Sequence, residues 1–379
     1  MNDFILFNPT RIVFGRDSFA QLSSLVPGSA RILVTYGGGS IKRNGVYDRI
    51  ARVLSGRNWQ EFGGIEPNPD YATLMRAVEL VRRERIDFLL AVGGGSTLDG
   101  TKFISAAACY EGDPWQILVD HGASIRRAIP MGTVLTLPAT GSEANPTGVI
   151  SRRETGEKYH FGAEPCFPVF SVLDPQTMDS LPPRQLANGL VDAYVHVVEQ
   201  YLTYPSRAPL QDRQAEGILS TLIEVAPAVL ADPPQYDARA ALMWCATQAL
   251  NGLIGAGVPQ DWATHMIGHE LTALYGLDHG VTLAIVLPGV LRDQLERKSA
   301  KLRQYGRRVF GVDDAFAAIE RTEAFFRSVG VPTRLSEHAV DATDAALKVR
   351  RRFEARGTRL GEHGDLDASA ASRILMMRK

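Results

Sequence analysis

Over its first 178 residues or so the chain repeatedly carries a short, unbroken apolar run into a turn and then into a helical pattern. The runs occupy 31–36, 86–92, 133–137 and 169–173. Between them lie amphipathic stretches such as 71–84, where Leu74, Val78 and Val81 recur at helical spacing. An unbroken apolar run fits a strand covered on both faces, and strands separated by helices pair in parallel. The texture changes around Leu181–Pro182–Pro183. Beyond it β-rich runs are nearly absent and helical patterns dominate, as at 185–201, 211–230 and 239–253. The expected fold is an α/β domain with a mostly parallel sheet over residues 1–178, then an all-α domain over 179–379, with a cleft between them. The Arg-rich segments 297–308 and 350–359 read as solvated helix faces.

Composition removes several function classes. The 379 residues carry 41 basic and 42 acidic side chains, so no global charge favours nucleic acid or acidic lipid. Cys109, Cys166 and Cys245 are odd in number and far apart, which implies no disulfide scaffold and suits a reducing compartment. No stretch reaches the ~18 apolar residues of a membrane span. The start, MNDFILFNPTRIVFG, lacks the basic and small-residue marks of a secretory signal. A cytoplasmic enzyme, binding neither nucleic acid nor membrane, is the expectation.

Two of the runs end in the same way, at Gly37–Gly38–Gly39–Ser40 and at Gly93–Gly94–Gly95–Ser96. Glycine lets backbone approach a ligand closely, and the free N–H groups of a helix start attract anions. A third turn, Thr136 to Asn145, also follows an apolar run. Three such turns at the carboxyl ends of parallel strands would share the edge where open α/β sheets bind ligands. Neither glycine turn is the usual dinucleotide fingerprint, because Leu98 stands where a third glycine is needed, and no Walker lysine follows. After the first turn the loop is uncharged and then basic, with Lys42 and Arg43, which suits a 2′-phosphate and hence NADP(H) over NAD(H).

Among eight histidines, several fall in one constellation. Asp192 and His196 are four apart, as are His265 and His269, so each pair shares a helix face. His279 follows in a break, Gly276–Leu–Asp–His–Gly280. A carboxylate with imidazoles projected from helices suits Zn²⁺ or Fe²⁺. His269–Glu270 lacks the second histidine of a zinc-protease motif. His121, His160, His338 and His363 have no partner at ligand spacing, and Glu199, one turn past His196, takes a solvated or supporting role.

The motifs at 93–102, 136–143, 192–196, 265–271 and 276–280 together resemble the iron-containing (group III) alcohol dehydrogenase family over most of the chain. The wording at 61–69 and 256–265 is particularly similar to its NADPH-dependent aldehyde reductase, or butanol dehydrogenase, branch. The resemblance implies a dinucleotide-binding domain followed by a helical metal-binding domain, with metal and nicotinamide in the cleft, and a homodimer. It implies Asp192, His196, His265 and His279 as metal ligands, with His269 beside the nicotinamide. Gly38, Gly39 and Ser40 would receive the adenosine ribose and its phosphate, near Asn68. Gly94, Gly95 and Ser96 would hold the pyrophosphate, and Asp99, Thr136, Ser142, Asn145 and Lys158 would line the rest. One departure is Thr97, where many members have proline.

The chemistry that follows is metal-dependent, NADPH-linked reduction of aldehydes to primary alcohols, reversibly, with His269 as the candidate proton relay. One divalent metal, Zn²⁺ or Fe²⁺, is implied. A lyase resembling dehydroquinate synthase is an alternative, but its phosphate-bearing substrate should need basic residues, and 187–201 and 251–282 contain none. A nucleotide-free metallohydrolase would leave the glycine turns unexplained.

Overall fold

The computed structural model describes all 379 residues, which divide into two compact units, one of Phe7–Leu181 and one of Met1–Leu6 with Pro182–Lys379. The division falls at Leu181–Pro182, where the texture of the sequence changes and three residues past the expected 178/179 boundary, and the first six residues join the helical unit. They are held there by main-chain bonds: the Asn2 N–H donates to the Gly257 carbonyl at 2.8 Å, and the Met1 amino group reaches the Ser206 carbonyl.

The first unit has eight strands: β1 (Arg11–Phe14), β2 (Ile32–Tyr36), β3 (Trp59–Phe62), β4 (Phe88–Gly94), β5 (Met131–Leu137), β6 (Thr147–Arg152), β7 (Glu157–Gly162) and β8 (Phe170–Leu173). Its helices are α1 (Leu22–Leu25), α2 (Ser40–Arg43), α3 (Val46–Val53), α4 (Tyr71–Arg83), α5 (Gly95–Ala108) and α6 (Gln116–Val119). Six strands form one parallel sheet in the order β1-β8-β5-β4-β2-β3. The central strands β2, β4 and β5 are buried along almost their whole length, as unbroken apolar runs require. Alternate residues share a face. Ile32, Val34, Phe88, Leu90, Val92, Val134 and Val172 join Val46 and Ile50 of α3 in one apolar core. Each such side chain contributes about 1.5–3 kcal/mol when fully buried. The opposite face carries buried hydroxyls that satisfy each other, Thr35 with Thr101 of α5 at 2.6 Å and Thr133 donating to Ser171 at 2.7 Å. Strands β6 and β7 form a separate antiparallel hairpin.

The second unit holds α7 (Pro183–Tyr201), α8 (Pro209–Val229), α9 (Tyr236–Ala249), α10 (Ala263–Tyr275), α11 (His279–Asp293), α12 (Leu295–Tyr305), α13 (Ala315–Ser328), α14 (Ala342–Arg356) and α15 (Ala368–Met376). Helix α11 is apolar all round, buried from Gly280 to Leu291, and packed by α7, α10, α13 and α15. No helix of the chain is long and apolar enough to cross a membrane.

The Arg-rich segments differ from expectation. Exposed Arg297, Arg303 and Arg350 behave as solvated faces, but Lys298 is buried and donates to the Leu202 carbonyl (2.6 Å), Asp261 (3.0 Å) and Glu362 (2.8 Å). Arg352 and Arg356 of α14 both close on the buried Glu270 carboxylate of α10, at 2.5 Å each. These cations face inward because their acids come from distant parts of the chain, Asp261 and Glu362 from loops and Glu270 from α10.

Candidate functional site

The chain leaves β2 toward β3 at one edge and leaves β4 toward β5 on the other side. The carboxyl ends of β2 and β4 therefore flank the topological switch point, where open α/β sheets leave a ligand crevice. Both glycine turns lie there. Helix α5 starts at Gly95 straight out of β4, with no side chain capping it, so its first-turn N–H groups remain for an anion. The glycines serve different ends. A Cβ built on Gly38 or Gly39 meets nothing within 4 Å, so that turn opens onto free space. A Cβ on Gly95 would lie 2.5 Å from Thr140, so the missing side chain there makes room for the protein's own turn.

The other sequence candidates form a frame around these turns. The Asn68 N–H donates to Ser96 Oγ (3.2 Å), and Lys158 Nζ donates to Asn68 Oδ1 (2.9 Å), linking α5, the loop before α4 and β7. Asp99 accepts Ser142 Oγ at 2.6 Å through Oδ1 and the Val149 N–H at 3.0 Å through Oδ2. Thr136 lies near the end of β5, also buried. Asp99, Ser142 and Asn145 surround a residue the sequence reading missed, Lys102. Its ammonium is fully buried and donates to Ser142 Oγ (2.7 Å), Asn145 Oδ1 (3.2 Å) and the Thr147 carbonyl (2.7 Å). Burial pushes it down to about 8, against the pull of Asp99. The signal was available, since Lys102 follows Asp99 by one helical turn. A second omission is Glu61 near the end of β3, which accepts Lys42 Nζ at 2.8 Å. Lys42 holds the Glu61 carboxyl below the usual range against its own partial burial.

In the helical unit, Asp192 and His196 share one face of α7, His265 and His269 one face of α10, and His279 opens α11. Gly280 makes this meeting possible, because a Cβ there would lie 2.6 Å from the Asn188 carbonyl oxygen of α7. One ligand atom each from Asp192, His265 and His279 lies within 4.8 Å of the others. Asp192 Oδ1 stands 3.6 Å from His265 Nε2 and 3.7 Å from His279 Nε2. Two ligands at about 2.1 Å from a tetrahedral ion are separated by about 3.4 Å, so the spacing suits a metal. Asp192 Oδ1 and His265 Nε2 are buried without a hydrogen-bond partner, which is costly unless a cation takes them. His196 stands at the edge of this group, its Nδ1 3.3 Å from Asp192 Oδ1 and its ring stacked on His265 at 4.5 Å. His269 lies beyond, its ring centre 5.3 Å from that of His279 and 6.3 Å from that of His265.

Glu199 takes the supporting role. Its Oε2 binds His265 Nδ1, and its Oε1 accepts the N–H groups of Thr264 (2.7 Å) and His265 (3.3 Å). A carboxylate on Nδ1 leaves the Nε2 lone pair for a metal and fixes the ring. Burial lowers the His265 imidazole, but Glu199 and Asp192 outweigh it and raise it to about 9. Burial likewise opposes ionisation of Asp192, and the three neighbouring imidazoles overcome it, holding the carboxyl well below its usual range. Trp262 edges His265 and His196 at 5.5 and 6.3 Å.

Residues 9–175 match the model of the iron-containing alcohol dehydrogenase family, and 186–360 match that of the Fe-containing alcohol dehydrogenase family, C-terminal. The chain is 56% identical over 382 residues to the NADPH-dependent aldehyde reductase YqhD of Escherichia coli (strain K12), covering 99% of each. It is 37% identical over 386 residues to NADH-dependent butanol dehydrogenase B of Clostridium acetobutylicum, again with 99% of each covered. A crystal structure of E. coli K-12 YqhD superposes with a TM-score of 0.98 at 54% identity, covering 100% of this chain and 99% of that one.

Proposed function

The chain belongs to the iron-containing alcohol dehydrogenase family, and on that footing we propose that it catalyses the NADPH-linked reduction of aldehydes to primary alcohols, reversibly. The observation that carries the reading is the convergence of Asp192, His265 and His279 on one point, with Glu199 behind His265. When bound there, a divalent ion polarises a carbonyl oxygen toward hydride supplied by the reduced nicotinamide. Asp192, His265 and His279 hold the ion, with His196 beside Asp192 as the fourth ligand. Glu199 fixes the ring and tautomer of His265. The turns at Gly38–Ser40 and Gly94–Ser96 bind the adenosine and pyrophosphate ends of the nucleotide. Asn68 and Lys158 support Ser96, while Asp99, Thr136, Ser142 and Asn145 shape the wall around it. His269 returns a proton from its imidazole to the nascent alcohol, and Trp262 offers an apolar wall to the substrate.

The lyase reading finds no lysine or arginine within the ligand-bearing stretches 187–201 and 251–282, and the metallohydrolase reading leaves the switch-point turns without a role. The test compares NADPH and NADH oxidation over an aldehyde panel, using metal-free protein restored with Zn²⁺ or Fe²⁺. Turnover that needs no metal would end the reading, as would failure to oxidise NADPH with any aldehyde.

A homodimer and a cytoplasmic location belong to the same proposal. Phe4, Ile5 and Leu6 of the helical unit and Phe7 and Phe14 of the first unit are exposed apolar side chains of the kind a second copy would cover. All three cysteines are free thiols, as a reducing compartment would keep them. Light scattering after gel filtration and cell fractionation check these two points.

A further inference from the structure

The cofactor reading rests so far on a basic loop after the first glycine turn, but the structure adds an acid to it. Glu61 occupies the third position of β3, paired in register with Val34 of β2, so it lies near the carboxyl end of the strand beside the Gly37–Ser40 turn. In dinucleotide-binding sheets an acid at this place, about 20 residues past the glycine turn, takes the ribose 2′-hydroxyl and repels a 2′-phosphate. Here the acid is engaged: Lys42 Nζ sits 2.8 Å from Glu61 Oε1, over the rings of Tyr36 (5.1 Å) and Tyr47 (4.7 Å). The two rings and the carboxylate hold the ammonium beside the open space at Gly38 and Gly39. Both partners are partly exposed, so a ligand anion can reach them.

We propose that Lys42 and Glu61 act as one coupled selector of the nucleotide, Lys42 masking an acid that would otherwise favour NADH, and Glu61 limiting how tightly NADPH binds. The proposal rests on the NADPH reading above. A 2′-phosphate draws Lys42 toward itself and away from Glu61, so part of the attraction is offset by the uncovered carboxylate. A 2′-hydroxyl draws nothing, and Lys42 stays on Glu61. Specificity then arises from a repulsive element as well as an attractive one.

The experiment is a fluorescence titration of NADPH and NADH at low ionic strength against wild type, K42M, E61Q and K42M/E61Q. Both substituted positions are on the surface, and each variant is first checked for unchanged thermal unfolding. E61Q is expected to tighten NADPH about threefold, the scale of one exposed charge pair, and to leave NADH within twofold. K42M is expected to weaken NADPH about tenfold or more and to tighten NADH, because the uncovered Glu61 carboxylate can then take the ribose 2′-hydroxyl. In the K42M background, E61Q should restore NADPH binding by a larger factor than it gains in wild type, about tenfold, because the acid is then unmasked. An E61Q effect that is equal in the two backgrounds, or equal for the two nucleotides, overturns the coupled selector. The two failures separate. Wild-type protein that binds NADPH no more tightly than NADH overturns the NADPH reading and the selector with it. A clear NADPH preference with no coupling overturns the selector alone.

Discussion

Replacing Glu199 by glutamine tests whether the buried constellation is a metal site, because the change is nearly isosteric and acts through a proton. In the native protein the carboxylate can only accept, so His265 Nδ1 carries the hydrogen, and a metal has only to displace the proton on Nε2, 3.6 Å from Asp192 Oδ1, to gain its lone pair. A glutamine Oε1 can still accept the Thr264 and His265 N–H groups, but its amide then offers a donor to Nδ1. The imidazole answers by moving its hydrogen to Nε2, the atom the metal needs. Loss of a supporting carboxylate of this kind costs about 10- to 100-fold in metal affinity, or about 1.4–2.7 kcal/mol. The assay is competition for Zn²⁺ between metal-free protein and a chromophoric chelator, with thermal unfolding of the metal-free forms as a control. E199Q that folds normally and binds Zn²⁺ within threefold of wild type would refute the argument.

Other consequences can be checked independently. Arg378 is fully buried and donates to Glu323 (2.6 Å), the Thr333 carbonyl (2.8 Å) and the Ile285 carbonyl (2.8 Å). R378M leaves Glu323 to Arg292 and Arg334 but strips the Thr333 and Ile285 carbonyls of their buried donor, and should lose about 1–3 kcal/mol in urea unfolding. Burial opposes ionisation of Glu323, but Arg378 outweighs it and holds the carboxyl at about 2 instead of 4.5. Its contribution is therefore complete above pH 4.5 and fades as pH falls toward 2, and E323Q should flatten unfolding stability across that window. Lys102 shows the opposite sign. Its native value near 8 lies below the ordinary 10.5, so the folded state binds fewer protons. Stability should gain a rising component between pH 8 and 10.5 that K102M removes. Finally, G95A places a Cβ 2.5 Å from Thr140 and should cost about 1–3 kcal/mol of stability. G38A, with open space around it, should leave stability unchanged while weakening NADPH in the same titration.

How far the sequence reached depends on whether a residue's partner lies nearby in the chain. Strands β2, β4, β5 and β8 were legible because burial on both faces makes them continuous apolar runs. Strands β1 and β3 were not, since each is a four-residue edge strand with half-exposed side chains. Asp192 with His196 and His265 with His269 could be read from helical spacing alone. Glu199 was visible as a residue one turn on, but its bond to His265 spans 66 positions and needed the packing of α7 against α10. The same holds for Arg356, whose acid is 86 positions away, and for Lys42, whose charge looked unopposed until β3 took its place beside β2. Local periodicity reports faces; it does not report which face meets which.

The placement of Met1–Leu6 has a consequence for the order in which the molecule can be completed during synthesis. The partner of the Met1 amino group, Ser206, lies 205 positions along the chain, and the partner of Asn2, Gly257, is made later still. At about 5–20 residues per second, those six residues wait some ten seconds or more for their first partner, while Phe7–Leu181 already has every strand of its sheet. The segment that includes Phe4, Ile5 and Leu6 thus waits longer for its main-chain partners than any other part of the helical unit, and its apolar side chains stay exposed even once it is docked. The ribosome-bound chain should be most open to chaperone capture at this segment, after its sheet has formed.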